Sequence, residues 1–410
     1  MITIAVGYDR RPAARDALIL GELRARTTNR GLVVRVEPGL SQEEVDLLVM
    51  GSRGHGPLGS VLLGSTATDV IAAAPCPVVV VPRPAAAGGG RPSAPQVDPR
   101  PILRCDMGLG YDGQLYILAF DHRGSFIKRF GIEGEPKPED VKRIADGKHL
   151  IFEGLEVALG RGADPSVTGA LVDEQFGGPT QVPEQAKARG IRLAMPVEKS
   201  GQDEFDFEYG DEFGDHIERY DPDFSKVLVR YNPDGDADMN RRQAQRLRRL
   251  SDWLHERDRK FLFELLVPAE ESQLEQVDGD SDRYDAELRP ELMRRAIAEL
   301  QDAGVEPDIW KIEGVDTRAD CELIAAQCRA GGRDGVVCVV LGRGADNDKV
   351  DHWLRQGAPT EGYVGFAIGR SIWGDPLAGF IAGDLSREDA AGQAADNYLR
   401  FVEVYESARS

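Results

Sequence analysis

Apolar residues in this chain fall into short continuous runs, separated by longer stretches in which they recur every three or four positions. Continuous runs read as strands buried on both faces, and the longer period reads as amphipathic helix. Beyond residue 101 eight such runs occur, at 115–120, 169–172, 191–195, 227–231, 261–267, 309–313, 336–341 and 364–368. Helix-like stretches lie between them, most clearly at 239–257 and 290–303. Eight strand–helix units in succession predict a (β/α)8 barrel. A smaller α/β unit precedes it, with strands expected at 2–6, 32–36, 45–50 and 77–81, a helix at 13–26 and a parallel sheet. The segment PRPAAAGGGRPSAPQVDPRP can neither sustain an apolar period nor fill a core, so it reads as a linker. The expected organisation is a small parallel-sheet domain over 1–83, a linker over 84–101 and a TIM barrel over 102–410.

With 41% hydrophobic and 29% charged residues, the composition is that of a globular chain. A formal charge of -20 argues against a nucleic-acid partner. Residues 1–84 carry nine Lys/Arg against eight Asp/Glu, so the acidity belongs to the C-terminal part. It reads as a solubility device, compatible with a homo-oligomer, and an anionic substrate then needs a basic pocket of its own. Five cysteines, an odd number without CxxC spacing, fit a reducing cytoplasm. The opening apolar run meets Arg10 and Arg11, so no signal peptide is expected. No apolar stretch reaches about 18 uninterrupted residues, so no membrane span is expected.

In a barrel of this kind the reacting groups sit at the C-terminal ends of the strands. Strand one ends in Asp121-His122-Arg123-Gly124, strand four is entered through Lys226, strand five holds Glu264 within LFELLV, and strand six holds Lys311 and Glu313. Each is a charge placed in or beside an apolar run. Lys311 and Glu313 stand two apart and share one face, where ionised groups need compensation. Lys226 supplies a second cation. Burial and a neighbouring cation favour the neutral amine that attacks a carbonyl, and Glu264 on the adjacent strand could move protons at a substrate hydroxyl. Gly342-Arg343-Gly344 after strand seven and Gly369-Arg370 after strand eight fall where barrels bind phosphate, although either could be only a tight turn. The six histidines have no metal-ligand spacing, so neither a metal nor any other catalytic cofactor is expected. A barrel isomerase or epimerase of sugar phosphates would use the same loops, and that reading stays open.

In the small domain Gly51-Ser52-Arg53-Gly54 and then Gly64-Ser65 follow a strand, a setting in which backbone N–H groups can cradle phosphates. The stretch VDLLVMGSRGHGPLGSVLLGSTATDVIAAAPCPVVVVP, with VGYD near the start, resembles the universal stress protein family. That resemblance implies ATP, with Asp9 facing the adenine and Gly51, Gly54, Gly64 and Ser65 the phosphates. The middle of the domain is shorter than the family's by a βα unit, which leaves a docking or dimerisation module as the alternative, and with it a nonenzymatic stress sensor on a barrel scaffold.

The barrel motifs AFDHRGSF, PVEKSG, SKVLVRYNPD, FLFELLV, DIWKIE and GFAIGRSIW are similar to those of the class I tagatose-bisphosphate and sulfofructose-phosphate aldolases. They look closer still to the 2-deoxy-5-keto-gluconate 6-phosphate aldolase domain fused behind the sugar kinase of myo-inositol catabolism. The resemblance implies Lys311 as the Schiff-base lysine and Glu264 as acid/base. It also implies Asp121, Arg123 and Lys226 against a phosphorylated sugar, and Gly369 and Arg370 at its phosphate. Two positions depart from the tagatose enzymes: His122 replaces a glutamine, and LGRG replaces a serine-containing loop. The implied products are dihydroxyacetone phosphate and an aldehyde, which could be malonate semialdehyde, glyceraldehyde phosphate or a sulfonated three-carbon unit.

Overall fold

The computed structural model describes residues 108–409 in full and, before them, the backbone of four strands at 2–6, 32–35, 47–51 and 78–81. The chain divides into two compact units, Met1–Met107 and Gly108–Ser410. In the first, β1 (Ile2–Val6), β2 (Leu32–Arg35), β3 (Leu47–Gly51) and β4 (Val78–Val81) form a parallel sheet in the order β2-β1-β3-β4. Gly51 closes β3. The expected helix at 13–26, the linker at 84–101, and Asp9, Gly54, Gly64 and Ser65 lie outside the described residues.

The second unit is a closed eight-stranded parallel barrel. Its strands are β5 (Leu115–Ala119), β6 (Thr168–Leu171), β7 (Arg192–Pro196), β8 (Phe224–Arg230), β9 (Lys260–Leu266), β10 (Ile309–Glu313), β11 (Val337–Leu341) and β12 (Tyr363–Ile368). The expected fourth strand starts too late. Phe224, Ser225 and Lys226 already pair with β7 and β9, so Lys226 lies inside β8 rather than at its entry. The helix expected at 239–257 spans Ala237–His255, because the Asp236 carboxylate caps it by accepting from the N–H groups of Asp238 and Met239.

Alternation along the strands divides the core in two. Outward residues such as Phe263, Trp310 and Phe366 pack against the surrounding helices in a large apolar cluster. Leu115, Ile117, Ala119, Phe224, Leu262, Ile309 and Val339 fill the barrel interior. Burying each large apolar side chain stabilises the fold by about 1.5–3 kcal/mol. The β12–β5 seam needs a glycine: Gly365 has φ +158°, and a Cβ there would stand 1.9 Å from the Leu115 carbonyl oxygen. The N-terminal end of the barrel is tied by buried Asp308, which accepts from the N–H groups of Gly110 and Phe261, each at 2.8 Å, and from Lys260 at 2.9 Å. His255, which reads as a helix-surface residue in sequence, is only 20% exposed and stands 3.4 Å from Asp308.

Candidate active site

On β5, β8, β9 and β10 the inward row turns from apolar to charged toward the C-terminal end of the strand. Leu262 is followed on the same face by Glu264, Phe224 by Lys226, Ile309 by Lys311 and then Glu313, and Ala119 by Asp121. Pairing of β9 with β10 sets Glu264 beside Lys311 in register. The Lys311 Nζ lies 3.0 Å from Glu264 Oε2, and the Lys226 Nζ reaches the same oxygen at 2.9 Å. Lys226 also donates to Asp121 at 2.7 Å and to Glu198 at 2.9 Å. Lys311 is 2% exposed and Lys226 1%, so neither lysine is a surface side chain in contact with bulk water.

Buried charges persist only when they compensate one another. Here Asp121, Glu198 and Glu264 face Lys226, Lys311 and Arg123. Burial alone would discharge Lys226, but its three carboxylates hold the ammonium well above its ordinary range. Burial pushes Glu264 upward, yet Lys226 and Lys311 outweigh it and keep the group an ionised carboxylate. Asp121 follows the same logic: burial raises it, while Lys226, Lys311 and His122 bring it below the usual carboxylate range. Glu198 goes the other way, raised by burial beyond what Lys226 and Arg123 offset. The His122 imidazole is pushed down to about 4, chiefly by burial, and is neutral near pH 7.

These groups line a cavity of about 520 Å³ at the C-terminal mouth of the barrel. Lys311, Glu264, Asp121, His122, Arg123, Lys226, Glu313, Arg343, Gly344, Gly369 and Arg370 all border it. Gly369 caps the N-terminus of the helix Arg370–Ala382, so that helix begins at the cavity wall and can present N–H groups to an anion. A Cβ on Gly369 would come 2.4 Å from the Ala119 carbonyl oxygen, so only glycine fits there. Two expectations change. Gly342 does not border the cavity and packs toward Ile368 and Val350 instead. Arg343 is already engaged, by Asp285 and by Glu313 at 2.9 Å, whereas Arg370 meets no carboxylate among the described residues. Glu313 accordingly belongs to Arg343, to Arg289 at 3.6 Å and to the Val267 N–H at 3.0 Å, and not to Lys311.

Several residues of the site escape a reading of the sequence. Glu198 lies within PVEKSG, where one acidic residue past an apolar run gives no hint that it will meet Lys226. Glu208 fixes Arg123 at 2.7 Å from a separate loop. Lys148, fully buried in the helix Pro138–Gly160, donates to Asp173 and to the carbonyls of Phe120 and His122, and so holds the loop that carries Asp121. Its position in DGKHLIF looks like an ordinary helix surface. Among the described residues no group of three or more His, Cys, Asp or Glu is placed to hold a metal, and no helix is long and apolar enough to cross a membrane.

The fold and this site define a (β/α)8 barrel with a buried lysine–carboxylate centre in a cavity that a helix N-terminus also borders. The chain belongs to the family described as an uncharacterized protein conserved in bacteria (DUF2090), which matches residues 110–409. Residues 40–82 match the universal stress protein family. Tagatose 1,6-diphosphate aldolase 2 of Streptococcus pyogenes serotype M1 is 26% identical over 164 residues, 39% of this chain and 46% of the relative. The chain thus spans about half the length of the curated aldolases it matches. A universal stress protein of Thermus aquaticus is 56% identical over 39 residues, 10% of this chain and 28% of its own length. A solved Schiff-base-forming fructose-1,6-bisphosphate aldolase aligns over 72% of this chain and 94% of its own at 14% identity and a TM-score of 0.44.

Proposed function

We propose that the barrel is a class I aldolase that cleaves a phosphorylated ketose or keto sugar acid through a Schiff base on Lys311. The observation that carries this is the shared oxygen: one buried carboxylate oxygen of Glu264 meets both Lys311 and Lys226 inside a cavity that ends at Gly369 and Arg370. The amine of Lys311 adds to the substrate ketone and, with one proton taken up from solvent, the carbonyl oxygen leaves as water, giving a protonated imine. The Glu264 carboxylate then takes the proton of the hydroxyl two carbons from the imine. The carbon–carbon bond between them breaks, its electrons pass to the imine nitrogen, and an aldehyde departs. Glu264 returns its proton to the enamine carbon, and water releases the keto fragment from Lys311. Lys226, held charged by its carboxylates, favours the ionised Glu264 at the start of this sequence. Gly369, Arg370 and the helix N-terminus would hold the phosphate, with Asp121, His122 and Arg123 along the sugar.

The substrate we infer is 2-deoxy-5-keto-gluconate 6-phosphate, split into dihydroxyacetone phosphate and malonate semialdehyde, with tagatose 1,6-bisphosphate and sulfofructose phosphate as the alternatives. What supports this order is the motif similarity together with His122 and the LGRG loop, which set the chain apart from the tagatose enzymes. Product analysis of the purified chain against these three phosphates tests the proposal. Two shorter carbon fragments are expected, and a rearranged product of unchanged carbon number would point to an isomerase instead.

A further inference from the structure

The charges around the cavity do not all cancel, and where they fail to cancel is informative. Arg123, Lys226, Lys311 and Arg343 each meet a carboxylate within 3.0 Å or less. Three cations that border the same cavity, Arg370, Arg230 and Lys199, have no carboxylate partner among the described residues. The chain has 70 acidic residues against 50 Lys and Arg, so acidic partners are in ample supply. Arg230 and Arg370 are also alike in detail. Each donates to one loop carbonyl, Arg230 to Gln202 at 2.8 Å and Arg370 to Arg343, which leaves much of each guanidinium for a ligand.

Their placement is set by the order of the barrel. Arg370 follows β12 and Arg230 ends β8, and these two strands are four steps apart whichever way the closed sheet is traversed, so they lie on opposite walls. Lys311 is on β10, two steps from each. Along β8, Phe224, Lys226, Leu228 and Arg230 alternate onto the inner face, which carries Arg230 about 13 Å beyond Lys226 toward the mouth at about 3.3 Å per residue. Lys199, in the loop after β7, the strand paired with β8, borders the same cavity. The cavity therefore has two unmatched positive poles across its mouth and the amine of Lys311 between them.

We propose that Arg230, backed by Lys199, binds a second anionic group at the far end of the substrate from the phosphate held by Arg370, and so selects ketoses that are anionic at both ends. This rests on the aldolase reading above. In the cleavage direction the distal anion leaves with the aldehyde fragment; in condensation it belongs to the incoming aldehyde. A carboxylate and a phosphate are both suited to the guanidinium fork, which binds either in bidentate fashion.

The test is condensation by the full chain of dihydroxyacetone phosphate with malonate semialdehyde, glyceraldehyde 3-phosphate or uncharged glyceraldehyde. The wild-type kcat/KM is expected to favour an anionic aldehyde over glyceraldehyde by at least about tenfold, and the favoured one identifies the distal group as carboxylate or phosphate. Arg230→Gln should reduce that ratio at least about tenfold, mainly through KM, and Arg230→Lys should recover part of it. A ratio unchanged in Arg230→Gln, or an equal fall for charged and uncharged aldehydes, overturns the distal site. If the wild type still forms a borohydride-reducible adduct with dihydroxyacetone phosphate, the aldolase reading survives that result. Absence of both adduct and condensation in the wild type removes the aldolase reading and the distal site with it.

Discussion

The two ends of the barrel each bury carboxylates, and they use them in opposite ways. At the N-terminal end Asp308 is met by two backbone N–H groups, Lys260 and His255. Burial pushes its carboxyl up, but those donors outweigh burial and hold it below its ordinary range. At the C-terminal end Glu264 is met by the side-chain nitrogens of Lys226 and Lys311 and faces an open cavity. The first carboxylate fastens strands and loop together. The second has spare acceptor capacity directed at a space where a substrate fits, and it sits against a lysine whose only acceptor it is among the described residues. Equal burial therefore does not mean equal role; the difference lies in what the donors are and whether anything else can approach.

That contrast can be broken by mutation, and the largest effect is expected at Lys311. Lys311→Met should abolish cleavage while leaving the circular dichroism spectrum and melting temperature near wild type, because Lys226 still compensates Glu264; retained turnover would refute the assignment. Glu264→Gln should lower kcat on the order of 10²- to 10⁴-fold, since it keeps the shape but cannot take the hydroxyl proton. Steady-state kinetics on the preferred phosphate measures it, and an unchanged kcat would move the proton transfer elsewhere. At the other end Asp308→Ala should leave kcat unchanged and cost about 3 kcal/mol in urea unfolding, because it orphans the buried N–H groups of Gly110 and Phe261. A large fall in kcat without loss of stability there would erase the distinction between the ends.

The smallest effect sharpens the account of His122. Its folded value, about 4, lies below the ordinary value of 6.5, so the fold excludes a proton that the unfolded chain accepts. Stability is therefore unaffected above about pH 6.5 and is lost as the pH falls from there through 4, on the order of 3 kcal/mol in all. His122→Gln should remove this component, so the variant gains on the wild type as the pH drops across that window. Thermal melts at pH 7 and pH 5 measure it, and an identical pH dependence for the two proteins would contradict the burial of a neutral imidazole.

Much of the barrel was legible because its strands are apolar on both faces, and a charge inside such a run is conspicuous. Lys311, Glu264 and Lys226 announced themselves in that way. Strand ends were less legible where pairing, not composition, decides them, as with Phe224 and Ser225 at the start of β8. Glu198, Glu208 and Lys148 were hidden because their roles depend on partners 28, 85 and 25 residues away in sequence, on separate elements. Arg343 misled for the same reason. A glycine–arginine turn looks like a phosphate loop until the structure supplies Asp285, from the π-helical turn Tyr284–Leu288, and Glu313 as its partners.

The central claim is that the Lys311 amine attacks a carbonyl held in this cavity. Borohydride reduction of the full chain in the presence of dihydroxyacetone phosphate, followed by peptide mass mapping, tests it most directly. The account predicts one stable adduct, on Lys311. An adduct on Lys226 instead, or none at all, would contradict it.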